Sequence, residues 1–129
     1  MFLKTKNLFY YILLGGLFQS CDSNKNNNKL NPISSAKLNI QIFHQVLQSG
    51  SLIETPLKNV TVFLFLTEAE RTSNDNVQKT AVTNDSGKVI FNSLPDDYYY
   101  ITTSHPTLGF RKTETATPNG SVSYEDIIY

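Results

Sequence analysis

From Ala36 onward, apolar residues recur at every second position. In "AKLNIQIFHQVL", Leu38, Ile40 and Ile42 share one side and His44 and Val46 continue it, a period of two that predicts a strand rather than a helix. "NVTVFLFLT" repeats the pattern with Val60, Val62, Leu64 and Leu66. Weaker alternation in "VQKTAVT" predicts a third strand, ended by "NDSG", where Gly87 admits a positive φ. "KVIFNSL" points Val89 and Phe91 one way before a Pro-Asp-Asp turn; "YYYITTS" and "TLGFRKTET" follow, and "PNG" turns the chain into "SVSYEDIIY". Seven strands in roughly 94 residues, with no amphipathic helix between them, predict an all-β domain over residues 36–129, two antiparallel sheets packed face to face. A chain of this size buries somewhat over about 60% of its unfolded surface, enough for one core. That core is expected to combine the inward aliphatics with Phe91, Leu94 and Tyr99.

The same parity raises a question about the opposite side. If Val60, Val62, Leu64 and Leu66 face inward, Phe63 and Phe65 face outward; if Tyr99 and Ile101 face inward, Tyr98 and Tyr100 face outward, and Phe43 does so on its own strand. A sheet with one wet face alternates apolar with polar, yet "VTVFLFL" is apolar at both parities. Two readings follow. The outward rings are cross-strand pairs, or Phe63, Phe65, Tyr98 and Tyr100 form one patch that a partner or ligand covers.

Before Ala36 the pattern is different. Lys4 and Lys6 precede "LFYYILLGGLF", eleven residues from Leu8 to Phe18 without a charge, the length of a secretory signal's apolar region and short of the roughly 20 residues a spanning helix needs. Residues 1–20 are therefore expected to be a signal peptide, cleaved after Ser20. Cys21, the only cysteine, stands where this run gives way to polar "DSNKNNNKLNPISS", which has the composition of a flexible tether over residues 21–35.

At this junction the sequence resembles the lipobox of bacterial lipoproteins, in which a small residue precedes a cysteine that becomes the acylated N-terminus. The resemblance implies cleavage between Ser20 and Cys21, lipid on Cys21, and a protein anchored to an envelope membrane, the outer membrane at its periplasmic or surface face being expected. Further on, "ETPLKNVTVFLF" and "TNDSGKVIFNSLPDDYYYITTS" resemble the prealbumin-like, carboxypeptidase-regulatory-type or collagen-adhesin B-type repeat. These motifs are core and turn positions, so they imply a seven-stranded Greek-key sandwich and no particular activity.

Candidate chemistry narrows the picture further. The chain has 11 basic and 11 acidic residues, and without Lys4 and Lys6 the balance is 9 to 11, a net charge of −2. No basic field recruits nucleic acid. Some adhesin repeats of this type carry a Lys-to-Asn isopeptide bond made by a buried acid. Here Lys37 and Asn119 are the candidate Lys and Asn, but Thr103 stands at the acid's place and no acid occurs from Tyr98 through Arg111. The transthyretin-like hydrolases of this fold use His and Arg with a C-terminal Tyr-Arg-Gly-Ser; this chain ends "DIIY", and His44 and His105 match no such motif. The two histidines lack metal-ligand spacing. Asp75, Asp85, Asp96 and Asp97 fall in turns, where Asp ordinarily bonds its own backbone, without the spacing of an EF-hand. No serine occupies a Gly-x-Ser-x-Gly elbow. The expectation is a non-catalytic membrane-anchored module without a cofactor or metal, partnered by an envelope protein; the alternative is a small-ligand module for carbohydrate or calcium.

Overall fold

The computed structural model describes residues 35–129. The signal, the Ser20–Cys21 junction and all of the tether except Ser35 lie outside the described residues. Within them the order is β1 (Ala36–Gln48), β2 (Ser51–Pro56), β3 (Thr61–Phe65), α1 (Glu68–Ser73), β4 (Lys79–Val82), β5 (Lys88–Leu94), β6 (Tyr98–His105), β7 (Gly109–Ala116) and β8 (Val122–Ile128). The strands form two sheets: sheet A is built on β1, which pairs with β2, β5 and β8, and sheet B runs β4-β3-β6-β7.

The hydrogen bonds of β1 show how one strand serves three partners. Ile42 N–H donates to Gly87 O at 2.8 Å and Ile42 O accepts from Leu57 N–H at 2.9 Å, so β5 and β2 lie end to end along one edge. Phe43 O accepts from Tyr129 N–H and Gln45 N–H donates to Tyr129 O, both at 2.9 Å, which sets β8 along the other edge. The connections β2–β3, β4–β5, β5–β6 and β7–β8 all cross between sheets, so β3 and β6 are neighbours although β4 and β5 separate them in the chain. This is the crossing pattern of a Greek-key sandwich.

The two-sheet all-β architecture is the expected one, and the core is drawn from the expected parities. Leu38, Ile40 and Ile42 of β1 meet Val62 and Leu64 of β3, Val89, Phe91 and Leu94 of β5, and Tyr99 and Ile101 of β6, all buried in one cluster with Ile127 and Tyr129. Three features depart from the expectation. First, β2 makes an eighth strand: Ser49 and Gly50, both at positive φ (52° and 82°), form a two-residue hairpin turn, and all six β2 residues are exposed. With no buried face, β2 has no alternation to read. His44 and Val46 accordingly leave the core side, since β1 runs on past the sandwich; His44 is half-buried and Val46 exposed. Second, β8 pairs with β1 in parallel register, Lys37 opposite Val122 through Phe43 opposite Ile128, whereas every other pair is antiparallel.

Third, a helix is present. Thr67 Oγ1 accepts from Glu70 N–H while Glu70 Oε2 accepts from Thr67 N–H, both at 3.1 Å, a complete capping box. Asn74 at φ 57° ends the helix in the left-handed region. None of its six residues is fully buried, so the element carries no apolar period.

Candidate functional site

The four rings expected on the outside of sheet B do share one face. β3 and β6 are adjacent, with Phe65 opposite Tyr100 and Phe63 opposite Thr102, and paired residues point to the same side of a sheet. Tyr98 and Tyr100 meet edge to face with centroids 5.3 Å apart. Yet the patch is not open. Helix α1 packs over β3 and β6, and its Arg71 lies across the Tyr100 ring, guanidinium carbon 5.2 Å from the centroid. Arg71 Nη1 donates to Thr113 O on β7 at 2.9 Å and Nη2 pairs with Glu68 at 2.9 Å. The Arg71 side chain thus acts as a strap from the helix to the far strand of the sheet.

The consequence for the named residues is unequal. Phe65 is fully buried, 0% exposed, and has no surface to offer a partner, contrary to its expected outward role. Phe63 and Tyr100 are half-buried, and only Tyr98 is exposed. The sequence left two readings of these rings, cross-strand pairing or a covered patch; the structure adds a cover over part of the face from within the chain, through α1 and Arg71. Thr102, on the same face, is buried with its hydroxyl unpartnered.

Sheet A carries no such cover on its outer face. Odd-numbered residues of β1 point away from the core, so the registers place Ile90, Asn39 and Tyr124 in one row across β5, β1 and β8, and Lys88, Gln41 and Asp126 in the next. The face forms a shallow hollow of about 390 Å³ lined by these residues together with Lys37. Tyr124 is 75% exposed and stands as an unpacked ring at its edge. Gln41 is oriented by its own bond, Nε2 donating to Ser86 O at 2.7 Å. The hollow therefore offers one aromatic plane beside amide, ammonium and carboxylate groups. No sequence pattern singled out Asn39, Gln41 or Tyr124; the register of β1 between β5 and β8, which joins them, is a long-range property.

Other candidates take ordinary structural places. Lys37 points out of sheet A, whereas Thr103 is buried and its Oγ1 lies 2.7 Å from Tyr129 Oη, so the candidate Lys and the acid-equivalent position face different ways. His105 Nδ1 accepts from the backbone N–H groups of Thr107 and Leu108 at 3.3 and 3.2 Å, holding the β6–β7 turn. Asp85 precedes β5 and pairs with Lys58 at 3.5 Å. Asp96 and Asp97 follow β5, where Asp96 accepts from Tyr99 Oη at 3.2 Å and Asp97 from Asn119 N–H at 3.2 Å. The length of β5 separates these carboxylates, and each has a partner of its own.

No protein-family model matches the chain, and no curated protein matches it. Solved structures do. The shaft pilin SpaA of Lactobacillus rhamnosus GG is similar at a TM-score of 0.52 and 13% identity over 73% of this chain and 48% of its own. The minor pilin of Streptococcus agalactiae gives 0.54 and 14% over 74% of this chain and 44% of its own. A candidate carbohydrate binding protein of Pseudomonas aeruginosa gives 0.50 and 13% over 75% of this chain and 90% of its own. The chain thus spans less than half the length of the two pilins. These likenesses show the fold alone, a two-sheet β-sandwich shared with domains of these proteins.

Proposed function

We propose that this chain is a non-catalytic module of a bacterial cell envelope, tethered by lipid on Cys21, whose sandwich binds or braces another surface component through the outer face of sheet A. The observation that carries this reading is the inequality of the two faces. Helix α1 and the Arg71 strap cover the middle of sheet B and leave Val82, Tyr98 and Phe110 exposed at its margins, whereas sheet A has no such cover and leaves Ile90, Val122 and Tyr124 exposed beside a hollow. A monomer ordinarily keeps exposed apolar groups dispersed, and a cluster of them marks an interaction site. The likeness to two pilins supports a structural or adhesive role at the surface. The junction of Ser20 and Cys21 after an uncharged run of eleven residues supports the tether.

A second reading has its own observation. Tyr124 beside Asn39, Gln41 and Asp126 is the chemistry that recognises a saccharide: a ring for the apolar face of the sugar and amide or carboxylate groups for its hydroxyls. The similarity to a candidate carbohydrate binding protein supports it. In this reading the surface component is a glycan rather than a protein.

The tether is tested by fractionating cells that express the full chain. The wild type is expected in the membrane fraction with an acylated cysteine as its first residue, and Cys21→Ala is expected in the soluble fraction or stalled with its signal attached. A soluble wild type with an unmodified N-terminus overturns the reading.

A further inference from the structure

The β1–β2 hairpin projects beyond the sandwich as a two-stranded ribbon; at its tip the turn, Gln48 to Ser51, is polar and uncharged, and the two pairs just behind the turn are apolar on both faces. Leu47 pairs with Leu52 and Val46 with Ile53; the exposures are 72%, 65%, 41% and 39%. Adjacent residues of a strand point to opposite faces, so the first pair lies on one face of the ribbon and the second on the other. From Gln45 to Ile53 no residue carries a charge. The first charge on the β2 side is Glu54, fixed by Gln45 Nε2 at 3.0 Å.

We propose that this tip inserts into the lipid surface to which the chain is tethered; the proposal rests on the membrane anchor put forward above. Three observations favour lipid over a protein partner. Aliphatic groups on both faces of a narrow ribbon are covered together by a medium that surrounds it, whereas a flat protein surface covers one side. The four side chains expose a few hundred Å², below the roughly 800 Å² per partner that a standard protein interface buries. The depth also fits: from the Val46–Ile53 pair to the turn is about 10 Å at ~3.4 Å per residue, and interfacial elements bury about 5–10 Å into the headgroup boundary. Glu54 then sits at the level where a charge returns to water.

The length of chain before the sandwich permits this placement. The tip lies about 40 Å from Ala36 along β1 at ~3.3 Å per residue. The fifteen steps from Cys21 to Ala36 reach at most about 50 Å at 3.3–3.6 Å each. A lipid on Cys21 and the tip of the hairpin can therefore occupy the same leaflet, and the sandwich is then held at two points instead of one. Such a contact fixes which way the sheet A face is presented.

The experiment uses the full lipidated chain in vesicles of phosphatidylethanolamine and phosphatidylglycerol. With Cys21 acylated, Leu47→Cys supplies a single free thiol for a polarity-sensitive fluorophore, and Phe110→Cys on β7 serves as the control. The expected result is a blue-shifted emission at position 47, quenched several-fold by a lipid-borne nitroxide, with no change at position 110. Changing Leu52 and Ile53 to Gln should abolish the shift. Water-like emission at position 47 in protein that stays on the vesicles overturns the insertion and leaves the tether standing. Protein that washes off the vesicles overturns the tether and the insertion with it. Self-quenching that grows with the protein-to-lipid ratio would assign the tip to a second copy of the chain, against the proposal.

Discussion

Gly87 is wedged against Ile42 at the seam of sheet A: Ile42 N–H donates to Gly87 O at 2.8 Å, and a methyl group on Gly87 would strike Ile42 O and lie 2.9 Å from Leu57 N. β2 ends and β5 begins at this point, so both strands share the β1 edge only because nothing projects from residue 87. Gly87 also sits at φ 70°. Gly87→Ala therefore combines the left-handed cost of ~1–2 kcal/mol with an overpacking cost of ~1–3 kcal/mol against backbone that cannot rotate away. Gly50, at φ 82° with nothing near its absent side chain, provides the comparison. Urea denaturation should show Gly87→Ala as the more damaging of the two, with Gly50→Ala losing only the left-handed cost.

The lid on sheet B makes its own prediction. Phe65→Ala should cost about 3–5 kcal/mol, the usual loss for a buried aromatic, whereas Tyr98→Ser, at an exposed position on the same face, should cost under about 1 kcal/mol. Thr67→Ala removes the N-cap of α1 and should lower stability by ~0.5–2 kcal/mol. Hydrogen exchange should locate that loss in α1 and the outer side of β3 and β6. An unchanged exchange pattern would mean that the capping box does not hold the lid.

How much of this was legible beforehand depends on whether a feature rests on local periodicity or on long-range register. The alternation of Leu38, Ile40 and Ile42, and of Tyr99 and Ile101, is imposed by a buried face, so it identified strands and core together. β2 packs against no second layer, so "SLIETP" carries no such imprint. Helix α1 is held by a capping box, readable in principle as Thr67 followed by Glu70, but its six residues span too few turns for an apolar stripe to declare itself. Parity correctly placed Phe65 away from the core cluster; its burial depends on where α1 folds back, which no pattern within β3 encodes. The hollow on sheet A joins Ile90, Asn39 and Tyr124 from three strands far apart in the chain. Only the sheet order brings them together.

Two buried phenols make stability fall at high pH. Burial pushes Tyr99 up to about 12, with the Asp96 carboxylate beside it adding in the same direction against a lowering contact to the Asp96 backbone. Burial also raises Tyr129, opposed by its bond to Thr103 and by Arg111, whose guanidinium lies 4.7 Å above the ring. In the unfolded chain phenols lose their protons near about 10. Above that pH the unfolded state binds fewer protons than the folded one, so the contribution is complete below about pH 10 and is lost as pH rises toward 12. The urea midpoint should drop steeply over this window, and Tyr99→Phe should flatten the drop relative to the wild type.

The final prediction separates the saccharide reading from the protein-partner reading at the same face. Stacking of a sugar needs the ring of Tyr124 and donors or acceptors within its row, and Asn39 is the residue directly opposite it on β1. Both side chains project from the outer face of sheet A, away from the core, so neither Tyr124→Ala nor Asn39→Ala should move the thermal midpoint by more than a few degrees. In titration calorimetry of the tether-free domain against soluble envelope glycans, saturable binding that each substitution weakens at least tenfold would establish the saccharide site. Tyr124→Phe discriminates further, because it keeps the stacking plane and should retain most of the affinity. Binding that survives Tyr124→Ala would place the glycan elsewhere. No binding by the wild type, combined with crosslinking of a defined envelope protein from position 124, would assign the hollow to a protein.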